Sequence, residues 1–334
     1  MAKQVFPEGP LPGRIRRRFY KGAMRVIWWR YYDDDMAIET IREKTDALTG
    51  ISMSRIRHRY PDVNITSVAI GAATCEWICP DDCVPGQAML YLHGGGYFMG
   101  SAYAYRLYAA RMARYFRMPV LLADYRLAPE HPYPAALDDA IAALHWLQGR
   151  DDVTQVFVGG DSAGGGLTLA TLLRARDEGM PTPTAAFCLS PWTDLALTGR
   201  SLRRNSRRDT MFNRRMIRRF APYYPGGNDT RDPYISPLYG DYTDLPPLLV
   251  LVGREEVLLD DSLRLETRIP EGGLELEVWH GVPHVWPVVL PGISESRRAM
   301  GRIRKFLREK AKAGARPDYG ASTRFQGQAG SPTT

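Results

Sequence analysis

Five short apolar runs, "AMLYLH", "PVLLADY", "QVFVGGD", "AAFCLS" and "PLLVLVG", recur along the middle of this 334-residue chain, each bounded by turn residues. They read as strands buried on both faces, as in a parallel sheet. Helical patterns fall between and after them, at 103–116, 135–149, 163–178 and 261–269. "ITSVAIGAATCEWI" suggests two adjacent strands with a turn near Gly71, "ELEVWH" a last strand and 293–312 a last helix. The expected fold class is α/β, a mostly parallel central sheet flanked by helices on both faces.

Two segments break this rhythm. Residues 1–60 read as amphipathic and helical, rich in Arg, Trp and Tyr, and residues 197–243 separate two strands with an Arg-rich helical stretch followed by a loop. Such segments are expected to cover the C-terminal edge of the sheet. The stretch 313–334 is polar and rich in Gly, Ser and Thr, the composition of a disordered tail.

Composition narrows the class. With 44% hydrophobic and 24% charged residues the chain has a globular profile. No apolar run approaches the roughly 18 residues that span a bilayer, and no apolar core of a signal peptide follows the first charges. A cytoplasmic protein without stable membrane insertion is expected. Cys75, Cys79, Cys83 and Cys188 are then read as reduced thiols, since the spacing of the first three does not match common zinc sites. The net charge of +7 is concentrated in "RIRRRFYKGAMR" and in residues 200–219, which hold nine arginines. No nucleic-acid-binding motif accompanies them, so they are read as solvated helix faces.

The most informative stretch is "QVFVGGDSAGGGLTLA": a strand, then Gly160-Asp161-Ser162-Ala163-Gly164, then a helix. This is the G-x-S-x-G pattern in which a serine sits on a sharp strand-to-helix turn, flanked by glycines that let the two elements approach closely. A serine hydroxyl in that position is a nucleophile once a base activates it. "YLHGGGYFMGS" supplies the second part: Gly94, Gly95 and Gly96 follow a strand end, where glycine lets successive amides turn toward one point. Together with the N–H of Ala163 they are the expected oxyanion hole. There is neither a dinucleotide nor a phosphate-loop fingerprint.

The base must be a histidine, and only His280 and His284 follow Ser162 in the chain order that this arrangement uses. His284, in the loop "GVPHVW", is preferred over His280 at a strand end. The acid should follow "PLLVLVG", where Glu255 and Glu256 come first and Asp260 and Asp261 open the next helix.

Over roughly residues 65–310 the chain resembles the hormone-sensitive-lipase family of bacterial esterases, within the α/β hydrolases. The resemblance rests on "HGGGYFMGS", "DYRLAPEHPYPAALDD", "GDSAGGG", "SPWTDL", "DPYISPLYGD" and "GVPHVW", all in order. It implies a carboxylic ester hydrolase acting without metal or organic cofactor, with Ser162 as nucleophile and His284 as base. The family's acid pattern D-x-L-x-D appears here as Glu256-Val-Leu-Leu-Asp260, so the acid becomes Glu256. It also implies a catalytic α/β domain split between 61–196 and 244–312, with a cap made from 1–60 and 197–243. Asp124, Arg126 and Glu130 fall on a structural loop, and homodimers are plausible on the same ground.

Tyr97, Phe98, Trp192, Met211, Phe212 and Trp286 are the candidates to line the cleft, and a covered pocket suits esters with short to medium acyl chains. Other readings are a deacetylase or lactonase of a specific natural product using the same triad, and a silent small-molecule-binding protein. A membrane-surface role for "VIWWRYY" (26–32) is a further alternative.

Overall fold

In the computed structural model, which describes residues 4–6, 22 and 36–314, nine strands form one sheet. In chain order they are β1 (Gln4–Phe6), β2 (Val63–Ile70), β3 (Ala73–Pro80), β4 (Gly86–Leu92), β5 (Val120–Asp124), β6 (Val153–Asp161), β7 (Ala185–Leu189), β8 (Leu248–Gly253) and β9 (Leu274–Trp279). Their spatial order is β1-β9-β8-β7-β6-β4-β5-β3-β2. The β2–β3 and β3–β5 pairs are antiparallel and every other pair is parallel.

The helices between and after the strands are α1 (Ile38–Thr49), α2 (Met53–Arg59), α3 (Ala102–Phe116), α4 (Ala135–Gln148), α5 (Ala163–Asp177), α6 (Ser201–Arg204), α7 (Arg214–Phe220), α8 (Leu259–Leu263), α9 (Trp286–Val289) and α10 (Ser294–Gly314). Side chains alternate along a strand, so the central strands feed two separate cores. Leu90, Leu92, Leu121 and Val158 pack with α4 and α5 on one face. Met89, Tyr91, Leu122 and Phe157 pack with α3 and α10 on the other. Burial on both faces is why these strands read as nearly unbroken apolar runs.

A third, smaller apolar cluster adjoins the first through Phe212. Ile41 of α1, Phe98 and Met99, and Met216 and Phe220 of α7 pack together. It joins a helix from before the first long strand to one from the segment between β7 and β8. Helices α1 and α7 thus meet over Phe98 and Met99, in the loop that follows β4.

Three differences from the sequence reading stand out. Residues 1–60 were expected to be helical, yet Gln4–Phe6 is a strand running parallel to β9; sheet pairing at an open edge outweighs local propensity. The helix expected at 261–269 is the short α8 followed by a 3₁₀ turn, Arg264–Thr267. The aromatic stretch 26–32 and residues 315–334 lie outside the described residues.

Candidate active site

Ser162 stands between β6 and α5 with φ 54° and ψ −122°, a left-handed conformation costly for a residue with a Cβ. Its neighbours hold it there. The Ser162 N–H donates to Leu189 O at 2.8 Å, while its carbonyl accepts from Trp192 N at 2.9 Å and Gly166 N at 3.1 Å. The glycines that follow are required by contact: a Cβ on Gly164 would lie 2.1 Å from Leu92 O and 2.3 Å from His93 O. Strand β4 and helix α5 therefore touch backbone to backbone, which fixes the direction of the serine.

The glycine loop after β4 comes to the same place. Gly95 and Gly96 have φ of 127° and 62°, and both line a cavity with Ser162. Their N–H groups and that of Ala163 donate to no acceptor among the described residues. Gly94 differs from expectation. It lines the cavity, but its N–H donates to Asp161 Oδ1 at 3.1 Å. Asp161 also accepts from Tyr91 Oη at 2.7 Å and Tyr105 Oη at 2.9 Å. Burial raises its pKa, against the pull of those two phenols and of His93 and His284. Gly94 thus ties the loop down, leaving Gly95, Gly96 and Ala163 as the amides free to face a ligand.

His284 follows β9 and is 1% exposed. Its Nδ1 lies 2.6 Å from Glu256 Oε2. Burial would lower the histidine's pKa, but Glu256, with smaller contributions from Asp209 and Asp161, reverses the sign, and the net shift is upward. Its Nε2 is buried and has no hydrogen-bond partner among the described residues, and the imidazole lines the same cavity as Ser162. The ring is met edge-on by Phe212, centroids 5.1 Å apart.

The three carboxylates that compete for the acid position separate cleanly. Glu256, 1% exposed, takes His284 on Oε2 and accepts on Oε1 from Ser190 Oγ at 2.8 Å and Gly253 N at 2.5 Å. Glu255 turns to Gly281 N at 3.2 Å, and Asp260 accepts from Ser201 N at 2.9 Å. His280 lies outside, 3.5 Å from Arg254 Nη1.

Several bracing groups were missed in the sequence. Ser190, at the end of β7, donates to Glu256 and accepts from Val285 N at 3.2 Å, so it touches both the acid loop and the histidine loop. Asn205 Nδ2 donates to the carbonyls of Glu256 at 2.8 Å and Arg254 at 3.0 Å. Asp209, whose pKa burial pushes up to about 6, accepts from Met211 N, Phe212 N and Val257 N. For Ser190 the one available signal is a hydroxyl at a strand's C-terminal end; Asn205 and Asp209 reach across more than 45 residues of chain and leave no local pattern.

The cavity has a volume of about 530 Å³. Phe98, Trp192, Met211 and Phe212 line it, together with residues of α1 and α3. Tyr97 and Trp286 do not. Tyr97 has φ 66° and turns away to stack on Tyr224 at 3.8 Å. The left-handed Val285 reverses the chain between His284 and Trp286, which is buried against Trp279 at 5.5 Å. The expected structural loop does hold together: Asp124 accepts from Ala102 N, Arg126 pairs with Asp139, and Glu130 pairs with Arg42. Among the described residues no cluster of three or more His, Cys, Asp or Glu side chains is placed to hold a metal ion.

Comparison with known proteins agrees with this layout. A family model described as the alpha/beta hydrolase fold matches residues 89–288. An acetyl-hydrolase of Streptomyces hygroscopicus is 42% identical over 245 residues, covering 72% of this chain and 81% of the relative. An esterase of Acinetobacter venetianus is 30% identical over 300 residues, covering 84% and 96%. Among solved structures, the esterase EstE5 soaked with p-nitrophenyl butyrate is 35% identical with a TM-score of 0.80, covering 91% of this chain and 99% of that one. An esterase from the bacterial hormone-sensitive-lipase family is 36% identical with the same score and coverage. With the fold, the strand-to-helix serine and these relatives in agreement, the chain belongs to the α/β-hydrolase family, alongside the bacterial hormone-sensitive-lipase esterases, and is a carboxylic ester hydrolase.

Proposed function

We propose that Ser162, His284 and Glu256 form the triad of this esterase, with the amides of Gly95, Gly96 and Ala163 as its oxyanion hole. The observation that carries this reading is the 2.6 Å contact between Glu256 and His284 Nδ1, which leaves the opposite ring nitrogen unpartnered in the cavity that Ser162 shares. His284 takes the Ser162 proton through Nε2 as the oxygen attacks the ester carbonyl. Glu256 holds the imidazole tautomer and stabilises the imidazolium. The three amides receive the negative charge that develops on the carbonyl oxygen. His284 then protonates the departing alcohol, and water repeats the sequence on the acyl-enzyme. The hydrogen bond between serine and histidine closes in the substrate complex, as is common where the free site is loosely set.

Short to medium acyl chains fit the covered, apolar cavity, and the Streptomyces relative named acetyl-hydrolase supports the short end of that range. The test is a p-nitrophenyl ester series with the Ser162→Ala protein as control. Butyrate and hexanoate should turn over faster than palmitate, and the variant should be inactive. Rates that climb toward long chains would reject the size preference, and turnover retained by the variant would reject the triad.

A further inference from the structure

The main cavity does not end at the aromatic wall. Helix α3 runs along it, contributing Ala104 and Tyr105 beside Asp161, then Leu107 and Tyr108, then Arg111. At Tyr60 and Arg111 it adjoins a second cavity of about 490 Å³, because both residues line both spaces. The chemistry changes abruptly there. Among the described residues of the second cavity, Arg111, Arg114, Arg117 and Arg304 stand against two carboxylates, Asp62 and Asp82. Arg114 pairs with Asp62 and Arg117 with Asp82. Arg111 donates to Pro291 O at 2.9 Å, and Arg304 lies over the Tyr115 ring at 5.1 Å. The Nε atoms of Arg117 and Arg304 are buried and donate to no acceptor among the described residues. Cationic charge is thus collected beside the end of the apolar cavity, which Arg111 lines directly. A guanidinium fork matches a carboxylate or phosphate oxygen pair.

We propose that this arginine-lined end selects esters carrying an anionic group, separated from the scissile carbonyl by an apolar spacer. The inference rests on the ester-hydrolase reading of the same site. The spacer length follows from the helix. At 1.5 Å per residue, Arg111 lies about 9 Å along α3 from Tyr105, and Arg114 about 13.5 Å. An extended chain advances roughly 1.2 Å per bond, so roughly eight to eleven bonds bridge that span. A dicarboxylic acid of about that length, esterified at one end, has the required shape on the acyl side. An acetate of an ω-hydroxy acid has it on the alcohol side.

The experiment compares p-nitrophenyl hemiesters of dicarboxylic acids of increasing length with their ω-methyl esters. A parallel arm uses acetates of ω-hydroxy acids and their methyl esters. The readout is the ratio of kcat/KM, anionic over neutral, within each protein. An apolar cavity with no charge at its end favours the neutral methyl ester, so a ratio above one is diagnostic. The ratio should exceed one at the spacer length given above in at least one arm and shrink as salt is added. It should fall about tenfold in the Arg111→Gln/Arg114→Gln protein. It should rise when the competing carboxylates are removed in Asp62→Asn/Asp82→Asn. A ratio at or below one at every length in both arms, or one that neither pair of substitutions moves, overturns the proposal. Turnover of the neutral esters with no anionic preference leaves the esterase reading standing; absence of turnover with every ester rejects that reading instead.

Discussion

The floor and the roof of the cavity are built by different means. The floor consists of Ser162, the Gly95–Gly96 loop, Glu256 and His284, each placed at or just after the C-terminal end of a strand. Hydrogen-bonded strand registers and a backbone-to-backbone contact between β4 and α5 set their positions. The roof, α1 and α7, is held by a small apolar cluster and by one side chain in particular. Arg42 donates to Phe98 O at 2.7 Å and Ala128 O at 2.9 Å and forks onto Glu130 at 2.7 and 2.8 Å. A floor fixed by sheet geometry can hold reacting groups to the tolerance that bond-making needs. A roof held by a few side chains suits the recognition of different substrates. The two lock together at Asn205 and Asp209, which belong to the segment between β7 and β8 yet bind the backbone of the Glu256 loop.

This contrast predicts that floor substitutions act on kcat and roof substitutions on KM. The largest effect belongs to Ser162→Ala, which should lower kcat by about 10⁶ with an unchanged circular dichroism spectrum. Glu256→Gln should come next, at about 10⁴, because the imidazole loses the partner that fixes its tautomer. The same substitution carries a pH signature. The proposed mechanism needs neutral His284, whose pKa is raised above the ordinary 6.5, so the acid limb of kcat/KM should lie above that value in the native enzyme. The limb should move down in Glu256→Gln, and a limb that stays in place would detach Glu256 from the histidine. The linked stability follows the usual sign for a raised base. The pair's contribution is fully present below 6.5 and is lost as pH rises through the higher folded value.

Smaller effects should sharpen the boundary. Asn205→Ala removes the side-chain donor to two carbonyls of the acid loop, of which Glu256 O keeps only Leu259 N at 3.3 Å, costing about 1–3 kcal/mol of stability and lowering kcat more than it raises KM. Arg42→Ala should raise KM a few-fold and leave kcat nearly unchanged, since Arg42 ties α1 to the loops after β4 and β5 without touching Ser162, His284 or Glu256, and its ion pair with the half-exposed Glu130 contributes under about 1 kcal/mol. A kcat loss for Arg42→Ala as large as that for Asn205→Ala would erase the distinction between floor and roof.

The floor was legible in the sequence because its determinants are local. A strand, a serine between glycines and a helix occupy consecutive positions, and the Gly94–Gly96 run follows a strand directly. Chain order narrowed the base to His280 and His284, and the loop position of His284, against a strand end for His280, separated the two. Glu256 needed more than local pattern, since Glu255 precedes it with the same charge, and only the turn after β8 sends one toward His284 and the other toward Gly281. The use of Gly94's amide by Asp161 was invisible, because it depends on a carboxylate 67 residues away. Tyr97 and Trp286 were read as cleft residues from their place beside site motifs, but left-handed backbone at Tyr97 and Val285 turns both rings into the cores. The strand at Gln4–Phe6 likewise depends on β9, about 270 residues later, and has no local signal.

The central assignment is tested most directly by labelling the purified enzyme with a fluorophosphonate and locating the adduct by peptide mass spectrometry. A single adduct on Ser162, formed with loss of esterase activity and slowed by at least about a thousandfold in His284→Ala, is expected. An adduct on any other residue, or full inactivation with Ser162 unmodified, would contradict it.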